Sequence, residues 1–153
     1  NIRKRSKELR YIVKCQISKV KSQIFISNLK SFMESNDYKK EFYKRLYKYA
    51  LKIIKFVEKL PKDTASKIIG SQLIRSGTSV TSNTIEAKSA SSKKDYINYY
   101  RTALKSANES KLWICLLRDT EKLNKKESDE LLKETVEIAN ILAASILTMK
   151  GKK

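Results

Sequence analysis

The chain has 153 residues, with 34 Lys and Arg against 16 Asp and Glu, a formal net charge of +18 at neutral pH. That is enough chain for one domain with a real core, and the charge predicts attraction to phosphate backbones or anionic surfaces while saying nothing of sequence preference. The absence of histidine excludes Ser-His and Cys-His nucleophile pairs, the commonest general acid-base group and most metal sites, so no cofactor and no metal is expected.

Residues 1 to 32 carry nine basic side chains (Arg3, Lys4, Arg5, Lys7, Arg10, Lys14, Lys19, Lys21, Lys30) and one acid, Glu8, a net +8 that leaves +10 for the rest. Leu9, Val13, Ile17, Val20 and Ile24 give this stretch a helical apolar face. Two readings fit: a basic helical arm that packs on the main domain or on RNA, or an upstream extension with Met33 as the natural initiator. The expected division is therefore an arm over 1–35, a main domain over 36–150 and a basic tail over 151–153.

The first predicted helix of the main domain runs from Tyr38 to Leu60, with Phe42, Leu46, Ala50, Ile53, Val57 and Leu60 at helical spacing and Pro61 marking its end. The second starts after Asp63 or Thr64, either of which can cap it, and continues to about Ser89, with Ile69, Leu73, Val80 and Ala87 as its apolar stripe. Beside that stripe, Gln72, Arg75, Ser76, Ser79, Asn83 and Glu86 fall within a band about 100° wide, which reads as a polar packing seam or an oligomer interface. Ile74 and Ile85 point to roughly the opposite side, so this helix has apolar surface to bury in more than one direction. Gly70 and Gly77 lack the Gly-Lys-Ser/Thr sequel of a phosphate loop and read as close-packing positions.

Ser92 with Asp95 forms a predicted capping box for the third helix, whose seam is Tyr96, Tyr100, Ala103, Ala107, Ser110, Ile114 and Leu117. Asn124 with Glu127 plays the same part for the fourth, with a seam of Leu131, Thr135, Ile138, Leu142, Ser145 and Met149. Ala103, Ala107, Ala139 and Ala143 allow close helix approach. Helices of about 22 to 27 residues joined by loops of about 3 to 5 predict an all-α, antiparallel up-down four-helix bundle.

The stretches SQLIRSGTSV, SNTIEAKSASSKKDY and ALKSANESKLWICLL resemble the four-helix-bundle proteins encoded by intervening sequences of 23S ribosomal RNA genes, a family that includes the accessory protein of diversity-generating retroelements. The likeness covers about residues 42 to 149. It rests on the pattern met by Gln72, Leu73, Arg75, Ser76, Ser79, Val80, Asn83, Glu86 and Ala87, followed by Asp95, Glu109 and Trp113. Thr81 and Ser82 stand where a Gly-Ala or Pro-Ala pair is usual, and Tyr96 replaces the common Phe. The resemblance implies a non-enzymatic homo-oligomer, a ring-like pentamer, and in the retroelement branch a basic surface that binds nucleic acids and a reverse transcriptase.

Among candidate chemistry, Glu86 and Glu109 are the best carboxylate pair, needing to meet across a pocket to act. The plainer reading makes Glu86 an acceptor within the polar seam and pairs Glu109 with Lys105 one turn away. Arg75, if buried, demands a carboxylate, and Glu86 of a neighbouring helix or subunit would serve. The basic surface is the stronger feature. Lys39, Lys40, Lys44, Arg45 and Lys48 run along the first helix, interleaved with Tyr43 and Tyr47, while Lys88, Lys93, Lys94, Arg101 and Lys105 gather around the start of the third. Lysines neutralise phosphates and exposed tyrosines stack on unpaired bases, unless the rings are half-buried with only their hydroxyls wet. Trp113 reads as core or interface.

Cys15 and Cys115 are isolated, so no zinc site or disulfide framework is indicated, and Cys115 reads as a small buried hydrophobe. No run approaches the roughly 20 apolar residues needed to cross a bilayer, and no secretion signal is evident, so a cytoplasmic protein without a membrane partner is expected. These features favour an RNA- or DNA-binding oligomeric scaffold. The alternative is an adaptor for an acidic partner or a reverse transcriptase, without direct nucleic-acid contact.

Overall fold

The computed structural model describes residues 36–151. The expectations that fall on residues 1 to 35, the basic arm, Cys15 and Met33 among them, lie outside that range. Among the described residues there are four α-helices and no strand: α1 (Asn36–Glu58), α2 (Thr64–Glu86), α3 (Lys93–Asp119) and α4 (Lys125–Lys150), with a single 3-10 turn (Ala87–Ser89) closing α2. The helices run antiparallel to their neighbours, because the residue numbers of cross-helix partners fall on one side as they rise on the other. Ser76 meets Ser110 and Ser79 meets Ser106 between α2 and α3, while Arg45 meets Glu134 and Lys59 meets Glu127 between α1 and α4.

The helix ends follow the local chemistry. Asp63 caps α2 by accepting from the Ser66 N–H (3.1 Å) and from its hydroxyl (2.7 Å), and these bonds hold its carboxyl down to about 2 because they favour the charged form. Ser92 Oγ accepts from the Asp95 N–H at 3.1 Å, but the Asp95 carboxylate in return accepts from the N–H of Ser91, not of Ser92. Asn124 caps α4 through the Lys126 N–H at 2.8 Å. Glu127, expected to complete a box there, reaches across to Lys59 instead, at 3.0 Å.

The core is a stack of helix seams. On α1 it is Phe42, Leu46, Tyr49, Ile53 and Phe56, so Tyr49 and Phe56 replace the expected Ala50 and Val57, which are half-buried. This amounts to a rotation of roughly 35° about the helix axis, toward α4. Two contacts hold it there: the Tyr49 hydroxyl lies 3.1 Å from Thr135 Oγ1, and Arg45 grips Glu134 through two bonds of 2.8 Å. Leu73, Val80 and Ala87 on α2, Ile97, Tyr100, Ala103, Ala107, Ile114 and Leu117 on α3, and Leu131, Ile138, Ala139, Leu142 and Ile146 on α4 complete it. Ile97 takes the buried place at the start of α3 that Tyr96 was expected to hold, and Met149 and Ala143 are half-buried.

Two glycines decide how closely α1 and α2 approach. A Cβ on Gly77 would stand 2.9 Å from Ile53 Cγ1, and one on Gly70 2.9 Å from Val57 Cγ1, closer than carbon atoms pack. One turn from Gly77, the Thr81 hydroxyl donates to the Leu46 carbonyl at 3.0 Å. The glycines are therefore packing positions, as their sequence context suggests.

Candidate nucleic-acid interface

The polar band of α2 divides in the structure into an inner and an outer part. Ser76 is buried, Gln72, Ser79 and Asn83 are half-buried, and Arg75 and Glu86 are exposed. The inner part zips α2 to α3: Ser110 Oγ donates to Ser76 Oγ at 2.9 Å, and Ser79 Oγ lies 2.9 Å from Ser106 Oγ. Small hydroxyls suit this place because they satisfy one another while leaving the backbones close. Asn83 does not bridge helices; its amide donates to the carbonyl and hydroxyl oxygens of Ser79, one turn back.

The outer part pairs differently from the sequence reading. Arg75 bonds Glu109 of α3 at 2.5 Å and Gln72 of its own helix at 3.0 Å, and the Trp113 indole N–H donates to the same Glu109 oxygen at 3.4 Å. Glu109 is thus held by Arg75, with no ion pair to Lys105. In this register Glu109 lies level with residue 77, nine residues or about 14 Å along the axis from Glu86, so the two carboxylates do not form a pair. Glu86 is exposed and takes no part in the seam's hydrogen bonds. Cys115 is half-buried, not fully enclosed. Among the described residues no group of His, Cys, Asp and Glu is placed to hold a metal, and no helix is long and apolar enough to cross a membrane.

The basic residues fall into two classes. Arg45 is tied up: its guanidinium spans Glu134 at 2.8 Å and Glu137 at 2.5 Å, bonds that raise its pKa further and hold Glu134 below the usual carboxylate range. Lys44 pairs with exposed Glu41 at 2.7 Å. By contrast, Lys40, Lys48, Lys88, Lys93, Lys94, Arg101 and Lys105 are all exposed, and among the described residues none of them makes an ion pair. Lys39 is exposed at the beginning of α1.

Most of these unpaired cations belong to one half of the bundle, where α1 begins, α2 finishes and α3 begins. Residues 40–47, 76–106 and 138–151 hold nine Lys and Arg against three acids, a net +6, whereas residues 48–75 and 107–137 hold thirteen against ten, a net +3. Lys88 links elements of the half with the higher net charge, its ammonium lying 3.8 Å over the ring of Tyr43 in a cation–π contact. The rings of Tyr96 and Tyr100 stack at 4.9 Å, and the Tyr96 hydroxyl donates to that of Tyr100 at 3.1 Å. Burial pushes the Tyr43 phenol up to about 12, helped by Tyr96 close by, and raises that of Tyr100 as well. A phenol that stays neutral far above neutral pH adds no negative charge to this end of the molecule. At the start of α3, Lys93 and Lys94 sit where a helix favours acids, and Asp95 is the acid of that first turn.

Tyr43 and Tyr47, adjacent turns of α1, have different fates. Tyr43 is half-buried under Lys88. Tyr47 is 62% exposed, although period alone makes the two equivalent.

The comparisons with known proteins agree with this fold. Residues 38–144 match the family described as 23S rRNA-intervening sequence protein. Among solved structures, the chain is similar to a protein of unknown function from the S23 ribosomal protein family of Bacteroides thetaiotaomicron, whose crystal structure was determined at 1.70 Å. The identity is 31%, the TM-score is 0.64, and the likeness covers 68% of this chain and 96% of the other. The comparison with curated proteins gives no match. With a four-helix fold and a family match over most of its length, the chain belongs to the 23S rRNA-intervening sequence protein family.

Proposed function

We propose that this protein is a non-enzymatic scaffold that binds RNA or DNA through the basic half of its bundle and assembles as a homo-oligomer. The observation that carries this reading is the scarcity of acids around the exposed cations of α1, the end of α2 and the start of α3: ten of the thirteen acids of residues 40–151 lie in the other half, which leaves this one with twice the net charge. Charge that served only solubility would be interspersed with acids. Concentrated charge raises the local density of phosphates and speeds their capture.

Assembly is supported by a second face. Ile68 is 59% exposed and Leu112 52%, with Leu116 beside them at 38%, and the α2–α3 register places Ile68 level with Leu116 next to the Arg75, Glu109 and Trp113 group. Apolar side chains rimmed by a charged pair, with Trp and Arg at hand, have the composition of a protein interface. On the family resemblance we further propose that the assembly is a pentamer and that a reverse transcriptase is a candidate partner.

The test is direct. Binding to nucleic acid should be sub-micromolar at about 50 mM salt, weakly selective for sequence, and should fall linearly on a log-log salt plot, with a slope near −0.9 per phosphate neutralised on duplex and near −0.7 on single strands. If neither RNA nor DNA binds at that salt while an acidic protein does, the molecule is an adaptor.

A further inference from the structure

The exposed ring of Tyr47 stands in a setting that a buried or half-buried tyrosine lacks. At 100° per residue, Lys40, Lys44, Tyr47, Lys48 and Leu51 fall within one outer stripe of α1 about 100° wide, and all five are exposed. The three lysines follow one another at about 6 Å of helix rise. Tyr47 makes no hydrogen bond and no ring contact among the described residues, in contrast to Tyr43, Tyr49, Tyr96 and Tyr100. A large ring left in water next to cations loses the benefit of burial.

Two kinds of partner could cover such a ring. Protein interfaces place aromatic rings at a core depleted of lysine, whereas this ring has three lysines around it. Surfaces for single-stranded nucleic acid combine a track of positive charge with aromatic platforms on which bases stack, because every base has a π face. A duplex offers no free base face to a side chain lying on its outside, so stacking separates unpaired from paired strands.

We infer that Tyr47 is a base-stacking platform for unpaired nucleotides, with the unpaired Lys40 and Lys48 holding the flanking phosphates and Lys44, paired with Glu41, beside them. The inference rests on the nucleic-acid reading above and narrows it to single strands, or to the unpaired loops of a folded RNA.

The experiment measures binding of the full chain by fluorescence anisotropy at about 50 mM salt, with an unstructured single strand, as RNA and as DNA of the same sequence, and with the corresponding duplex. Tyr47→Ala should weaken single-strand binding about 5- to 100-fold, the range of one lost stack, and leave duplex binding within about twofold. Tyr47→Phe and Tyr47→Trp, which keep a ring, should retain the single-strand affinity. The ratio between the RNA and DNA arms then tells which backbone is preferred.

Loss of affinity for single strand and duplex alike, no loss for either, or a fall in oligomer mass for Tyr47→Ala at unchanged melting temperature would each overturn the assignment. If the unmutated chain binds no nucleic acid at all, the broader function fails with it. If it binds, and Lys-to-Gln changes weaken it while Tyr47→Ala does not, the stacking assignment alone fails.

Discussion

Arg75 and Glu109 meet across α2 and α3 at 2.5 Å, one residue along each helix from the Ser76 and Ser110 hydroxyl pair. The serines lie inside the bundle and hold it together. The ion pair lies outside, with the Arg75 side chain 66% exposed, and an exposed pair contributes only about 0 to 1 kcal/mol to the fold.

Arg75→Ala should therefore leave the melting temperature nearly unchanged while reducing the mass of the assembly. Light scattering alongside thermal unfolding separates the two effects. An oligomer of unaltered mass would show that the face around Ile68, Leu112 and Leu116 has no part in association.

Gly77→Ala tests the approach of α1 to α2. Alanine is the better helix former by about 1 kcal/mol, but the added methyl meets Ile53 at 2.9 Å inside a tightly packed seam, and overpacking costs about 1 to 3 kcal/mol. We expect a net loss of about 1 kcal/mol in urea denaturation. Combining the change with Ile53→Val should recover part of it, as a double-mutant cycle would reveal.

The hydroxyl zip should respond to single and double removal differently. Ser110→Ala alone removes the donor to Ser76, which keeps only its bond to the Leu73 carbonyl at 3.3 Å, and should cost about 0.5 to 1.5 kcal/mol. Removing both hydroxyls, in Ser76→Ala with Ser110→Ala, leaves neither group unpaired and should cost less than the two single changes together. Asn83→Leu should also be mild, about 1 kcal/mol or less, because its amide bonds only Ser79, which keeps Ser106 as a partner.

Arg45 and the surface lysines should separate in a binding assay. Lys40, Lys93, Lys94 and Lys105 changed together to Gln should weaken binding to all sequences alike and flatten the salt slope, with the fold intact, since such contacts position a backbone and read no bases. Arg45→Gln should instead destabilise the fold, because it strands Glu134 and removes one of the contacts that hold α1 against α4.

The same pair sets a pH dependence. Glu134 has its pKa lowered in the fold, chiefly by its hydrogen bonds from Arg45, so the unfolded chain binds its proton more tightly. The stability it contributes is complete above the ordinary carboxylate pKa of about 4 and is lost as the pH falls through the lower folded value. The stability difference between the natural chain and Glu134→Gln, about 1 kcal/mol or less for a partly solvated pair, should be constant above about pH 5 and shrink below about pH 4. A difference that grew in acid would contradict the role given to Arg45.

Sequence alone determined the helix count of the main domain, the caps at Ser92 and Asn124, a choice between Asp63 and Thr64 for the cap of α2, the packing role of Gly70 and Gly77, and the small-residue line of α2, because each depends on near neighbours along the chain and on a period of 3.6 residues. It could not decide between faces of similar polarity. Ala50 or Tyr49, Tyr96 or Ile97, Lys105 or Arg75 as the partner of Glu109, and Glu127 as a cap or as a partner for Lys59 are choices of rotation and register, settled by the helix packed alongside. The basic surface was legible as composition, yet tertiary structure withdrew Arg45 from it by placing two carboxylates of α4 within reach, and separated Tyr43 from Tyr47 by laying Lys88 over one ring only. Period places a residue on a side of its helix, and only the neighbours that arrive from distant sequence decide whether that side meets protein or water.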